Sequence, residues 1–317
     1  MNIVKLNTLE FQIFCNFAKL IEGIMMLGPD KSAIAIRKAG GEIDLKVEPL
    51  KTLRNRFKIF RIPFLRGIIG MFDSMRLGFS AINYSASFAI DEIEEEPSKF
   101  ERWLEAKIGS KAVENILLGI AGVFGVVIPI VLFVFLPTLL AGLLDGVIGA
   151  GILRNLLEGL LRIIIFLGFM YSVSHMKDMK RVFSYHGAEH KTIFCYEAGE
   201  DLTVENVKKF PKEHPRCGTS FLFSVMVISI LVFSVVQWSN PWIRMALRLA
   251  LLPVVIGISF EVNRLIGRFD NPFTKFMRAP GVWFQGFTTF EPDDSMIEIA
   301  ISALSAVIPE EEGKDKW

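Results

Sequence analysis

Residues 185–190 read YHGAEH, two histidines four apart with a glutamate directly before the second. On a helix, positions three and four apart share a face, so His186, Glu189 and His190 are expected to project together. Two neutral imidazoles at that spacing suit zinc or a similar divalent ion. The order H-x-x-E-H inverts the familiar H-E-x-x-H, and a glutamate so placed can act as general base toward an attacking water.

A third ligand has to come from elsewhere. The stretch HPRCGTS (214–220) offers His214 and Cys217, with Pro215 and Gly218 to turn the chain. Arg216 is expected to help keep a Cys217 thiolate ionised. All four histidines, His175, His186, His190 and His214, fall in this one region. The candidate site is therefore Glu189 as the catalytic carboxylate and His186, His190, His214 and Cys217 as the metal ligands, with zinc as the expected ion.

A blander reading stands beside it. A five-letter pattern with three fixed positions occurs by chance, and juxtamembrane histidines often only hydrogen-bond to carboxylates and lipid headgroups. His175 is read as such an interfacial residue, and Cys15 and Cys195 as packing residues.

The elements that must hold these residues follow from composition and pattern. Of 317 residues, 51% are apolar and 22% charged, and mean hydropathy is +0.42. That combination fits membrane helices joined to a substantial polar part. A net charge of +1 with no long basic block excludes an electrostatic case for nucleic acid. Three scattered cysteines make no disulfide framework and suit a reducing, cytoplasm-facing setting. The start, MNIVKLNTLEF, lacks the features of a signal peptide.

SAIAIRK (32–38) and GEIDLKVEPL (41–50) alternate apolar and polar residues around AGG, a hairpin pattern, and IEGIMMLG (21–28) reads as a further strand. PFLRGIIGMFDSMRLGFSAINYSASF (63–88) has helical periodicity interrupted by Arg66, Asp73 and Arg76, and reads as a long amphipathic helix. DEIEEEPSKFE (91–101) reads as an acidic linker.

Four stretches are long and apolar enough to span: 116–140, with Pro129 and Pro137 as kinks; 156–176, where Glu158 and Arg162 are spaced to pair; 220–238; and 246–267. The segment 138–155 reads as a short re-entrant piece. The second span is expected to run unbroken to Glu197 and to end at Gly199. Ionisable groups inside spans are costly, so Arg248 and Glu261 are expected to be paired or functional, Glu261 with Arg264 or a site cation. Residues 295–308 read as one more amphipathic helix.

Lys177, Lys180, Arg181, Lys191, Lys208, Lys209, Lys212 and Arg216 crowd the 177–219 loop, whereas 138–155 holds one arginine and 239–243 none. The positive-inside rule then puts that loop and both termini in the cytoplasm. The expected architecture is a mainly α membrane protein with about four transmembrane helices. Its parts are a small cytoplasmic β-containing region (1–62), an amphipathic helix and acidic linker (63–112), a transmembrane region carrying the 177–219 site loop (113–268), and a cytoplasmic C-terminal segment (269–317).

Several long stretches closely resemble the bacterial YqhQ family. They are YHGAEHKTIFCYEAGEDLTVENVKKFPKEHPRCGTSFLF (185–223), EGIMMLGPDKSAIAIRKAGGEI (22–43), RIPFLRGIIGMFDSMRLGFSAINYSA (61–86), LLPVVIGISFEVNRLIGR (251–268) and APGVWFQGFTTFEPDDSMIEIAISAL (279–304). The family is described as a predicted metal-dependent membrane enzyme without an established reaction. The resemblance implies metal binding and membrane location, with motif residues at His186, Glu189, His190, His214, Arg216 and Cys217.

The functional expectation is a metal-dependent hydrolase at the cytoplasmic membrane surface, acting on a lipid-linked or membrane-protein substrate. Membrane lipids are its expected partners. The alternatives are a transporter, channel or assembly scaffold with a structural metal or polar histidine cluster, and a regulatory protein sensing metal or redox state through Cys217. No Walker, Rossmann or kinase motif is present.

Overall fold

In the computed structural model of the chain, the described residues are 23–38, 40–89, 103, 107–144, 146, 151–235 and 240–309. Cys15, the acidic stretch 91–101 and Trp238 lie outside them. By contacts the chain divides into two compact units. One comprises Met1–Ala89, Met170–Ser229 and Leu252–Trp317, the other Ile90–Phe169 and Ile230–Leu251.

The first unit is built on an antiparallel sheet of order β1-β2-β3, with β1 Gly23–Leu27, β2 Lys31–Arg37 and β3 Ile43–Pro49. The β2–β3 hairpin is the expected one, and β1 is the further strand. Its GIMML run is apolar throughout because both faces of the sheet are covered. Ile24 and Met26 with Ala33 and Ala35 face one core, while Met25 and Leu27 with Ile34 and Ile36 face another. Alternate strand residues point to opposite faces, so neighbours divide between two partners. β3, at one edge of the sheet, leaves Leu45 and Val47 exposed.

Helix α1 (Leu53–Arg56) is followed by a 3₁₀ turn at Lys58–Arg61 and by α2 (Leu65–Ala89), the expected amphipathic helix. Its apolar side, at Leu77, Ala81, Tyr84 and Phe88, packs on the second sheet face. Asp73 is buried and accepts the amides of Leu53 and Arg54 at 2.9 and 3.3 Å, so this interrupting charge caps α1.

The second unit begins with α3 (Ser110–Ile130), one π turn at Val131–Phe135 and α4 (Leu136–Leu143), helical throughout. Helix therefore runs through 138–143, where a re-entrant piece was expected, and 147–150 lie outside the described residues. Pro137 lacks an N–H for the Phe133 carbonyl, and Arg162 Nε donates to that carbonyl at 2.8 Å. α5 (Ile152–Ser174) follows.

The second span does not continue to Glu197. α5 stops at Ser174, Met176 is extended, and α6 (Lys177–Ala198) starts afresh. The reason is local: the Ser174 hydroxyl donates to the Tyr171 carbonyl at 2.8 Å and His175 Nδ1 lies 2.7 Å from the same oxygen, so side chains take over the last turn. His175 consequently sits on no common helix with His186. Gly199 does end α6, with φ of 74° in the left-handed region.

After α7 (Val204–Lys208) come α8 (Thr219–Ser234), α9 (Pro241–Arg268), α10 (Pro272–Phe284), a 3₁₀ turn at Gln285–Phe287 and α11 (Asp294–Val307). Among the described residues, three helices are long and apolar enough to cross a membrane: Gly122–Leu143, Leu153–Ser174 and Trp242–Arg268. α8 is apolar but has 16 residues, about 24 Å of helix against a hydrocarbon core of about 30 Å.

Glu261 of α9 bonds the Arg66 guanidinium, and its Oε1 accepts the Phe64 amide at 3.0 Å. The partner is thus an arginine far away in sequence. Phe64 has φ of 75°, and Glu261 holds that left-handed residue at the entry to α2.

α11 is the helix that ties the first unit together. Asp293 caps it, accepting the Met296 amide at 3.0 Å. Its apolar face, with Met296, Ile297, Ala300 and Leu304, packs against both the sheet and α6. The expected amphipathic helix thus spends its apolar face on the protein core. Leu304 is 1% exposed. We expect Leu304→Ala to destabilise the first unit by about 2–5 kcal/mol. The check is a thermal melt in detergent, and an unchanged melting temperature would show that α11 is not the core helix.

Candidate metal centre

α6 carries YHGAEH into the interior, and Phe183 to Ile193 are all buried. Gly187 decides how close the chain after α10 can come. A Cβ at this position would stand 2.0 Å from the Phe290 carbonyl oxygen, so only glycine admits that strand of backbone. The Phe290 amide in turn donates to the Phe183 carbonyl at 3.0 Å.

This close approach sets the imidazoles. His186 Nδ1 lies 2.7 Å from the Thr288 carbonyl oxygen, and His190 Nδ1 lies 2.5 Å from the Lys212 carbonyl oxygen. A carbonyl only accepts, so both Nδ1 atoms carry the proton and both Nε2 atoms present a lone pair. His186 Nε2 is 3.2 Å from Cys217 Sγ. One ligand atom each from His186, His190 and Cys217 lies within 4.8 Å of the others, all three residues buried. A tetrahedral zinc with bonds of about 2.0–2.1 Å to nitrogen and 2.3 Å to sulfur separates N from S by roughly 3.6 Å. The His186–Cys217 separation is within a few tenths of an ångström of that value, and His190 completes a donor set of the right chemistry within 4.8 Å.

Cys217 sits in the turn leading into α8. Its sulfur accepts the Thr219 amide at 3.3 Å and lies 3.2 Å from the Thr219 hydroxyl. The first turn of a helix favours negative charge on such a sulfur. Arg216, expected to do this, is engaged elsewhere: its guanidinium bonds Glu197.

His214 is beside the three donors but turned from them. Its Nδ1 accepts the Arg216 amide at 3.2 Å, so that lone pair is used, and its Nε2 lies 3.5 Å from Glu197 Oε2. Among the described residues the group that could hold an ion is therefore His186, His190 and Cys217, and His214 packs at its rim with its ring 5.7 Å from that of His190. Glu189 is buried on the same helix and is not in that group.

Gln285 is a further member that spacing does not reveal. Fully buried, its Oε1 accepts the His214 amide at 2.8 Å and its Nε2 donates to the His214 carbonyl at 2.9 Å. That two-point clamp fixes the HPRC loop against α10. Gly281 allows the docking, since a Cβ there would stand 2.7 Å from Ser220 Cβ. The signal in the sequence was a lone amide inside the aromatic run VWFQGF. Thr288 and Lys212 act through backbone oxygens, which leave no mark on residue type. Lys191 pairs with Glu291 at 2.9 Å and adds a second tie from α6 to this chain. Cys195 is a packing residue, with its thiol 3.5 Å from the Asp201 carbonyl.

Burial holds His186 at about 4, well below the usual 6.5, and also pushes His190 and His214 down. All three are therefore neutral at pH 7, the form that binds metal.

The sequence model of a family described as "Protein of unknown function (DUF1385)" matches residues 62–310. The "Uncharacterized protein YqhQ" of Bacillus subtilis (strain 168) is 35% identical over 291 residues, covering 91% of this chain and 90% of that protein. No solved structure matches the chain.

Two outcomes follow from this geometry. Gly187→Ala should displace the 288–290 backbone and, with it, the anchor of His186, lowering the melting temperature by several degrees and weakening metal uptake; a variant that melts and binds like wild type would refute the close approach. As for pH, the unfolded imidazoles take protons near 6.5 while the folded ones resist until far lower, so the unfolded state binds more protons in between. The stability they contribute is complete above about 6.5 and is lost as pH falls toward about 4. Metal-free protein should melt progressively lower from pH 7 to 5 in a thermal scan, and His190→Gln should flatten that slope.

Proposed function

The chain belongs to the DUF1385 family of proteins of unknown function, and from that premise we propose that it is an integral membrane protein with a zinc-like divalent metal centre, working as a hydrolase. The observation that carries the reading is the pair of carbonyl-anchored imidazoles whose Nε2 lone pairs converge with Cys217 Sγ. Metal-ligating histidines characteristically donate their other N–H to a carbonyl in this way.

Two imidazoles and a thiolate make a three-donor set, the number that leaves one position for substrate. A bound ion supplies Lewis acidity there. His186 and His190 orient it through their carbonyl anchors, Cys217 contributes charge, and Glu189, one turn from His186, is assigned as the carboxylate that takes the proton of the attacking water. His214 keeps a supporting role through Glu197 rather than that of a ligand.

The membrane setting is proposed as multi-pass in the cytoplasmic membrane, with α8 as a fourth span beside the three longer helices. The Lys and Arg of 177–219 favour a cytoplasmic metal centre and cytoplasmic termini. Substrates would then be lipid-linked or membrane-protein groups reaching the interface.

A second reading is favoured by one observation: His190 and Cys217 are 1–2% exposed. Such burial suits a structural ion in a transporter or scaffold. The two differ at the fourth position. Cobalt-substituted protein should change its visible spectrum on addition of azide if that position exchanges, and should not if it is closed.

The founding experiment is metal content by mass spectrometry on detergent-purified protein. Wild type should carry about one equivalent of zinc. His186→Ala/His190→Ala and Cys217→Ser should lose it, while Glu189→Gln should keep it. Wild type that stays metal-free after incubation with zinc would end the metal reading.

A further inference from the structure

The HPRC turn has a second side. Arg216 and Cys217 also line a cleft bounded by the first turns of α8, the end of α9 and the middle of α10. Counting the space open to solvent it measures about 470 Å³, and the room inside it for water-sized groups is that of about one water. It therefore takes one small group of a ligand, and the remainder of that ligand has to lie at its rim.

The polar lining indicates which group. The Ser224 hydroxyl donates to Asn263 Oδ1 at 3.0 Å, while Asn263 Nδ2 is buried with no hydrogen-bond partner among the described residues. Arg216 Nε is buried and unpartnered in the same sense. A buried donor left unpaired is costly, and an acceptor on a ligand relieves that cost. The charges of the lining are already paired: Arg216 bonds Glu197, and Arg278 Nη2 donates to Asp270 at 2.9 Å. What remains is N–H donors without net charge, a match for a neutral carbonyl oxygen rather than for a phosphate.

The apolar lining includes Phe223, Ile266 and Met277. Met277 is itself exposed, so it stands at the rim. On α10 it shares one face with Phe273, Phe276 and Trp283, at spacings of three, four and seven, and these three are more than half exposed. α10 starts at Pro272, four residues after Arg268 ends α9, a helix long and apolar enough to span. An apolar stripe so placed seats in the membrane interface.

We propose that the cleft binds the acyl carbonyl of a membrane amphiphile, an ester or amide of a long-chain acid. Asn263 Nδ2 donates to the carbonyl oxygen, and the chain passes over Met277 onto the apolar stripe of α10. Cys217 is common to the cleft and to the three-donor group, so a carbonyl held there lies beside the metal centre. As a substrate pocket the cleft rests on the hydrolase reading; as a binding site it does not.

The test uses full-length protein in neutral detergent, prepared once with zinc and once with a chelator. The probe is N-methyldecanamide, a neutral carbonyl on an acyl chain, with decyl methyl ether and decyl phosphate as controls. The readouts are the melting temperature and the side-chain amide resonances of Asn263, assigned by their loss in Asn263→Asp. The amide should raise the melting temperature by several degrees and move those resonances in both preparations. The ether should do neither, and the phosphate should do less than the amide. Asn263→Asp keeps an oxygen for Ser224 and loses the donor. It and Asn263→Leu should each weaken amide binding about tenfold and leave the zinc content unchanged. No response of the wild type to the amide, a response that survives in both variants, or a stronger response to decyl phosphate overturns the proposal. Should the variants fail to fold, the melting temperatures of the wild type with the three probes decide alone. Zinc uptake without amide binding sinks the pocket and leaves the metal centre; amide binding by a chain that takes up no zinc sinks the hydrolase and leaves the pocket as a lipid site.

Discussion

Two backbone carbonyls, those of Lys212 and Thr288, accept the Nδ1–H of His190 and His186, and the arrangement of the first unit serves to bring them there. An imidazole bonded this way has one tautomer and one ring orientation, so its free lone pair points where the backbone dictates. Neither carbonyl is near in sequence to the histidine it fixes. The Lys212 carbonyl arrives because the loop after α7 returns over α6, and the Thr288 carbonyl because α10 ends against α8 and the chain crosses α6 at Gly187. Gln285 locks the two arrivals together by holding both backbone groups of His214.

The same constraint explains why α11 lies between the sheet and α6. α11 begins four residues after the Phe290 crossing, and its Asp293 cap fixes its start. Its burial against Ile24, Met26, Ala33 and Ala35 anchors the crossing chain from the far side. Neutral, desolvated imidazoles then follow from depth alone, since burial penalises the protonated form.

In the second unit, polar groups are organised by a different need. Pro137 frees a carbonyl within an apolar helix, and Arg162 satisfies it. Thr138, one residue on, reaches Glu158. A helix flaw and a charge pair are thus solved by one cluster, because in an apolar surrounding each buried donor or acceptor has to find its partner within the protein.

Much was legible in residue order. The 3.6 and 2.0 periodicities marked α2, α11, the apolar helices and the hairpin, because each of these elements buries a face and periodicity is the trace of burial. The i, i+4 spacing put His186 and His190 on one face and Glu158 beside Arg162, since helix geometry is local. What lay beyond reach depended on partners far along the chain. The break at Ser174 turned on side chains closing a last turn that periodicity extends straight through. Glu261 met Arg66 rather than a neighbour on its own helix alone, and Arg216 turned to Glu197 instead of the thiol beside it. The choice of Cys217 over His214 next to the two histidines was tertiary as well. Both sit in one four-residue motif, and only the Arg216 amide on one ring nitrogen and Glu197 near the other distinguish them. Sequence by itself determined which side chains were available, on which helix faces, and that burial had to follow. Tertiary structure decided which lone pairs converge, because hydrogen bonds to distant backbone atoms, invisible in residue identity, set the tautomers.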